Sequence, residues 1–160
     1  MRTLWRTIKI AILLLLIGVV SLFVSHQWRQ PQQDFSHTLK VLTYNTHALC
    51  MGNKQQAKQM LAYLNEQDAD IICLQEVRVY KDAQRMTLHQ LRQAMSQYPY
   101  TYYDFKRYNS RRQFGNVVFS RYPLINKQTI SYESQNNISS QCDVVVQEDT
   151  IRLIVNHLES

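Results

Sequence analysis

The run from Ile10 to Val24 is broken only by Gly18 and Ser21, and every other residue in it prefers hydrocarbon to water. A surface helix of a compact domain shows an apolar stripe with a polar opposite face, and this run has no polar face. Crossing about 30 Å of hydrocarbon takes about 20 residues at a rise of 1.5 Å each. Residues 8–25 reach that length when Leu4 and Trp5 lie in the interface and the Lys9 ammonium extends to the headgroups. The segment therefore reads as a signal-anchor helix within residues 1–26. A cleaved secretory signal and a buried helix are the alternatives. Cleavage needs small residues three and one before the cut, and a cut after Ser25 would put Phe23 at the outer position. Arg2, Arg6 and Lys9 precede the span, and Arg29 is the first charge after it. The positive-inside rule then places the N-terminus in the cytoplasm and the rest of a single-pass protein on the outer side of the membrane.

Beyond the span, residues 27–36 are polar, Gln-rich and punctuated by Pro31, which reads as a linker. That leaves residues 37–160 for a domain. With only 3 Gly, 3 Pro and 3 Cys in 160 residues, the chain is not collagen-like, low-complexity or a disulfide scaffold. Setting aside Arg2, Arg6 and Lys9 lowers the net charge from +6 to +3, too mild to argue for nucleic acid by charge alone. Cys50, Cys73 and Cys142 show no metal spacing. Cys73 reads as a small buried hydrophobe, and a bond between Cys50 and Cys142 is conceivable only in an oxidising compartment.

Leu39, Val41 and Leu42 predict a strand ending at Asn45. Ala57, Met60, Leu61 and Leu64 fall on one face of a helix over residues 54–67, after a break at Gly52-Asn53. Residues 70–76 form a continuous apolar run ending in Gln75-Glu76, the pattern of a strand covered on both faces. Leu88, Leu91 and Met95 predict a second helix before Pro99. Strands follow over residues 100–105, 116–120, 124–132, 142–147 and 151–158, with a turn at Glu148-Asp149. Strand, helix, strand, helix and then several strands imply a layered α/β (α+β) domain.

Asn45 and Glu76 terminate the two most apolar strands. In a sheet with helical crossovers such strand ends converge on one crevice. A Glu there offers a hard oxygen suited to Mg²⁺, and an Asn offers one acceptor and two donors. Each residue is equally read as a solvated polar group capping a strand.

Four blocks in a fixed order carry a resemblance. They are Leu39-Lys40-Val41-Leu42-Thr43-Tyr44-Asn45; Ala69-Asp70-Ile71-Ile72-Cys73-Leu74-Gln75-Glu76-Val77; Gly115-Asn116-Val117-Val118-Phe119-Ser120-Arg121-Tyr122-Pro123-Leu124; and Val155-Asn156-His157-Leu158. Together they resemble the endonuclease/exonuclease/phosphatase superfamily, and they span nearly all of the chain beyond the linker. The resemblance implies the N-terminal portion of a four-layer α/β/β/α sandwich, preceded here by one transmembrane helix.

It also implies site residues. Glu76 matches the metal-binding glutamate, Asn45 the metal-site asparagine, and His157 the histidine that hydrogen-bonds the scissile phosphate. The implied cofactor is Mg²⁺, or Mn²⁺ in its place. Asn116 is similar to a substrate-facing polar position at the site rim, although it equally marks a bulge beside Gly115. Ser120-Arg121-Tyr122-Pro123 reads as structural. His47, two residues after Asn45, is either a neighbour of the same crevice or a solvated loop residue. Arg107, Arg111 and Arg112, interleaved with Tyr102, Tyr103, Phe105 and Tyr108, read as a basic, aromatic rim or as an edge hairpin whose tyrosines pack and whose arginines stay in water.

The family's later Gly-Asp-x-Asn and Ser-Asp-His blocks do not occur in the sequence. The expectation is a membrane-anchored, Mg²⁺-dependent phosphoesterase that is truncated and inactive as this chain. Its substrate would be a phosphate ester of nucleic acid, phospholipid or inositol. The alternative is a membrane-tethered, non-catalytic module that binds a phosphorylated ligand.

Overall fold

The computed structural model describes residues 2–28, 38–107, 109–130, 132 and 137–158. It divides into two compact units, Met1–Thr38 and Leu39–Ser160. The linker expected over residues 27–36 lies, from Arg29 onward, outside the described residues.

The first unit contains one helix, α1 (Arg2–Trp28). Its described side chains from Ile12 to Val20 are all exposed. Among the described residues no helix is long and apolar enough to cross a membrane. The helix expected from the sequence is present over Arg2–Trp28.

The second unit orders its elements as β1 (Val41–Asn45), α2 (His47–Met51), α3 (Lys54–Glu66), β2 (Ile71–Tyr80), α4 (Leu88–Ala94), β3 (Tyr100–Arg107), β4 (Arg112–Ser120), β5 (Leu124–Ile130), β6 (Ile138–Val146) and β7 (Asp149–His157). The two longer helices start where local chemistry dictates. Asn53 Oδ1 accepts from the backbone N–H groups of Gln55 and Gln56 at the head of α3, an N-cap worth about 1 kcal/mol. Thr87 and Gln90 form a reciprocal capping box at α4.

One sheet has the order β1-β2-β4-β3, with β1 and β2 parallel and the other pairs antiparallel. The second is an antiparallel meander, β5-β6-β7. Side chains alternate across the first sheet. Ile72, Leu74, Val117 and Phe119 pack under Leu49, Leu61, Leu64 and Leu91 of the helices. Ile71, Cys73 and Val118 face Leu124, Cys142, Val144 and Val155 of the second sheet. The result is helices on sheet on sheet. Strand β2 is covered on both faces, as its uninterrupted apolar run demands.

Several boundaries differ from the expectation, chiefly at four places. Strand β2 runs on to Tyr80, β4 begins at Arg112, β6 begins at Ile138, and the β6–β7 turn falls at Gln147-Glu148. In each case strand pairing carries polar residues that period-two patterning alone leaves outside. Cys73 and Cys142 are free, buried thiols in the layer between the sheets. Cys142 therefore does not pair with Cys50, whose side chain lies outside the described residues.

The sheets are also joined by a polar seam. Buried Asn116 donates through Nδ2 to the Ser140 hydroxyl at 3.1 Å and to the carbonyls of Val155 at 3.0 Å and Ile138 at 3.3 Å. Asp104 accepts from the Ser140 and Thr129 hydroxyls at 2.6 and 2.7 Å.

Candidate active site at the ends of β1 and β2

Parallel pairing aligns Asn45 with Gln75, so the two strands end side by side. Thr46 locks this junction. Its N–H donates to the Gln75 carbonyl, and its hydroxyl donates to the carbonyls of Gln75 and Glu76, each at 2.9 Å. Between Leu74 and Val77 the register of β2 against β4 shifts, which makes a bulge, and Glu76 sits there at φ +53°. A non-glycine residue in that region costs about 1–3 kcal/mol, and a bulge re-aims the side chain it carries.

The Glu76 carboxylate points at two partners. Oε1 accepts from Asn45 Nδ2 at 2.8 Å and from His157 Nε2 at 3.1 Å. Both bonds fall on Oε1. The Asn45 amide is oriented in turn, because its Oδ1 accepts the His47 backbone N–H at 2.8 Å. His157 comes from the second sheet, at the end of β7, and the Phe114 ring meets its imidazole edge-on at 5.9 Å. The site thus takes one residue each from β1, β2 and β7, and it exists only where the two sheets meet.

Burial works to raise the Glu76 pKa. Hydrogen bonds from Asn45 and His157, together with the nearby imidazoles of His157 and His47, outweigh that and hold it below the ordinary glutamate value. Glu76 is consequently an ionised, half-buried carboxylate. Among the described residues no group of three or more His, Cys, Asp or Glu side chains gathers anywhere. A single carboxylate fits an ion that keeps its waters and shares its shell with a phosphate, the habit of Mg²⁺, and does not fit a closed zinc or calcium cage.

Sequence reasoning missed α2. His47, Ala48 and Leu49 have φ of +46°, +56° and +49°, consecutive left-handed residues without a glycine among them. Each costs about 1–2 kcal/mol. Leu49 and Ala48 are buried, and the Leu49 N–H donates to the Thr46 hydroxyl at 3.2 Å, which holds the turn. No propensity signal marks it, since burial enforces it.

The structure brings Asn45, Glu76 and His157 together and sets His47 exposed beside them. Asn116 lies on β4 across from the Gln75-Glu76 bulge, with its Nδ2 bonded in the seam between the sheets rather than to these three side chains. Asp68 and Asp70 lie at the start of β2, where both pair with Arg121 and Asp70 also accepts the Lys40 N–H. Arg121 is thereby structural, as its motif suggested. Arg111 and Arg112 lie at the β3–β4 turn, and the Arg107 side chain and Tyr108 are outside the described residues.

The model of the Endonuclease/Exonuclease/phosphatase family matches residues 42–157. The chain belongs to this family. Members generally use divalent metal ions and act on phosphodiester substrates such as nucleic acids. Among solved structures, the fold is similar to an endonuclease/exonuclease/phosphatase from Beutenbergia cavernae DSM 12333, with TM-score 0.60 and 17% identity over 75% of this chain and 38% of that one. It is also similar to truncated TDP2 from Caenorhabditis elegans, with TM-score 0.58 and 18% identity over 76% of this chain and 47% of that one. The chain thus spans less than half the length of either structure. No curated protein matches the sequence.

Proposed function

We propose that this family member carries the metal- and phosphate-binding part of a Mg²⁺-dependent phosphoesterase site and is tethered to a membrane through residues 8–25, with the family domain on the outer side. One observation carries the site: an ionised Glu76 oriented by Asn45 and His157 at the junction of two strand ends. Glu76 would hold the ion, and Asn45 would orient the Glu76 carboxylate through Nδ2. When bound, Mg²⁺ supplies positive charge to the phosphoryl oxygens. His157 presents an N–H beside the carboxylate, placed to donate to a phosphoryl oxygen as negative charge builds there. The His47 N–H fixes the Asn45 amide so that its NH₂ faces Glu76.

Activation of a water nucleophile has no evident agent. Among the described residues no group of three or more His, Cys, Asp or Glu side chains gathers at Glu76, and the sequence has no Gly-Asp-x-Asn block. Groups that act as a unit do not retain proportional activity when some are missing. The chain alone is therefore expected to bind metal and phosphodiester but to turn over slowly.

Calorimetric titration with Mg²⁺, followed by a Mg²⁺-dependent aryl phosphodiester assay, tests this on the chain and on Glu76→Ala. Saturable Mg²⁺ and phosphodiester binding that weakens about 10- to 100-fold in the variant is expected. Equal affinities in the two proteins would remove Glu76 from the site. Binding with no turnover at all favours the second reading, a tethered phosphate-binding module. The tether rests on the full apolar run, which extends past Val20 to Val24. Retention in carbonate-washed membranes, lost on deletion of residues 1–36, is the expected result.

A further inference from the structure

The left-handed turn after β1 is strained, and its strain is gathered around the candidate site. Among the described residues seven non-glycine residues have positive φ, and four of them, His47, Ala48, Leu49 and Glu76, lie at the junction of β1 and β2. Asp68 and Asn126 are residue types that enter this region readily, whereas Ala, Leu and Glu do so at a cost. Such strain persists only where surrounding contacts over-determine it, and it collects where a fixed geometry is needed. Here the contacts are explicit. Thr46 bonds the carbonyls of Gln75 and Glu76 and accepts the Leu49 N–H, while Asn45 Oδ1 accepts the His47 N–H at 2.8 Å. Ala48 and Leu49 are buried, and of the three left-handed residues His47 alone is exposed. The turn thus fixes the backbone beneath one solvent-exposed imidazole. Burial and hydrogen bonding aside, the groups that act through space on the Glu76 carboxylate are the imidazoles of His157 and His47. One comes from the end of β7 and the other from the turn after β1, so an anion that approaches Glu76 meets a ring from each sheet.

We propose that His47 is a substrate-binding residue, whose imidazole N–H donates to an oxygen of the phosphate ester bound at Glu76. The proposal rests on the phosphoesterase reading for the place of the phosphate and adds a contact that the reading does not contain. A phosphodiester presents two non-bridging oxygens. With a donor from His157 alone it could swing about that one contact, and a second donor on a fixed backbone would orient it. Either neutral tautomer of an imidazole carries one N–H, so the contact is open to His47 whichever ring nitrogen is protonated. The strained backbone then has a purpose. It holds His47 two residues from Asn45, at the mouth of the crevice, while its neighbours Ala48 and Leu49 anchor the turn in the protein.

The test uses the full chain in neutral detergent, with Mg²⁺ and bis(para-nitrophenyl) phosphate as the ligands titrated by calorimetry. His47→Ala is expected to bind the ester about tenfold more weakly, the loss of one hydrogen bond to a charged group. Its Mg²⁺ affinity and its urea midpoint are expected to stay unchanged, because the side chain is exposed and the backbone N–H to Asn45 remains. His47→Gln keeps a side-chain N–H donor and should recover most of the lost affinity. In proton–nitrogen correlation spectra, the His47 ring signals should move when the ester is added to the Mg²⁺-loaded chain. Unchanged ester affinity in His47→Ala, an equal loss in His47→Gln, or ring signals that stay in place overturns the proposal. A fall in the urea midpoint or in Mg²⁺ affinity that matches the loss of ester binding also overturns it, by making His47 structural or a partner of the ion. The phosphoesterase reading fails separately, when Glu76→Ala leaves ester binding unchanged while His47→Ala still weakens it. No ester binding by the parent chain overturns both.

Discussion

Against its burial, Glu76 is held below its ordinary pKa by hydrogen bonds with Asn45 and His157, and this gives its titration a definite sign. Its folded pKa lies below the ordinary value, so the folded chain binds that proton less readily than the unfolded chain does. The resulting stability is present above the unfolded glutamate pKa and is lost as pH falls through the folded one. Asn45→Ala removes one donor and is expected to raise the Glu76 pKa, read from its carboxyl carbon by NMR titration; an unmoved value would show that Asn45 does not hold the carboxylate. Thiols behave oppositely. Burial, with Cys142 nearby, pushes Cys73 up to about 12, and burial first pushes Cys142 up to about 11. At pH 8 both should resist an aromatic disulfide reagent until denaturant is added, and fast native labelling at either position would contradict their placement between the sheets. Asn45 and Glu76 were legible as polar ends of apolar strands. His157 was legible only through its motif, because a strand-end histidine by itself has an ordinary structural reading.

At the scale of elements, β3 and β4 meet at a point with no room for a side chain. A Cβ on Gly115 would fall 1.9 Å from the Asp104 carbonyl oxygen, far inside contact distance with rigid backbone. Gly115→Ala must push β3 away from β4 opposite Phe105, and it should cost more than the roughly 1–3 kcal/mol of ordinary overpacking, measured by chemical denaturation. A loss under about 0.5 kcal/mol would mean that the strands part there without strain. The sequence showed a glycine before Asn116 but not which strand backbone presses on it, since pairing partners are not encoded in local pattern. The extension of β2 to Tyr80 was unreadable for a related reason. Arg78 breaks the apolar run, yet it is covered because its guanidinium lies over the Phe114 ring of the neighbouring strand. Alternation and helical periodicity did predict the presence and order of the other strands and both longer helices, although β1, β5 and β7 are largely exposed.

At the scale of the whole molecule, the site depends on how two sheets are held together. Glu76 belongs to the first sheet and His157 to the second, so their 3.1 Å contact reports the distance between layers. Asn116 bridges the two layers beside that contact. It reaches from β4 to the Val155 carbonyl, two residues before His157 on β7. The sequence placed Asn116 near the site without revealing that its amide faces the neighbouring sheet, since only the packed partner defines a buried polar group's role. Asn116→Ala leaves the carbonyls of Val155 and Ile138 without this donor, and a buried acceptor that loses its partner costs about 1–3 kcal/mol. Phe119→Ala should destabilise by about 3–5 kcal/mol through cavity formation on the helix-covered face of the same strand. The two variants separate stability from positioning. Asn116→Ala is expected to raise the Glu76 pKa as the His157 bond loosens, whereas Phe119→Ala should leave it in place under conditions where both proteins are folded. A Glu76 titration that shifts equally in both, or in neither, would mean that the seam does not set the geometry of the site.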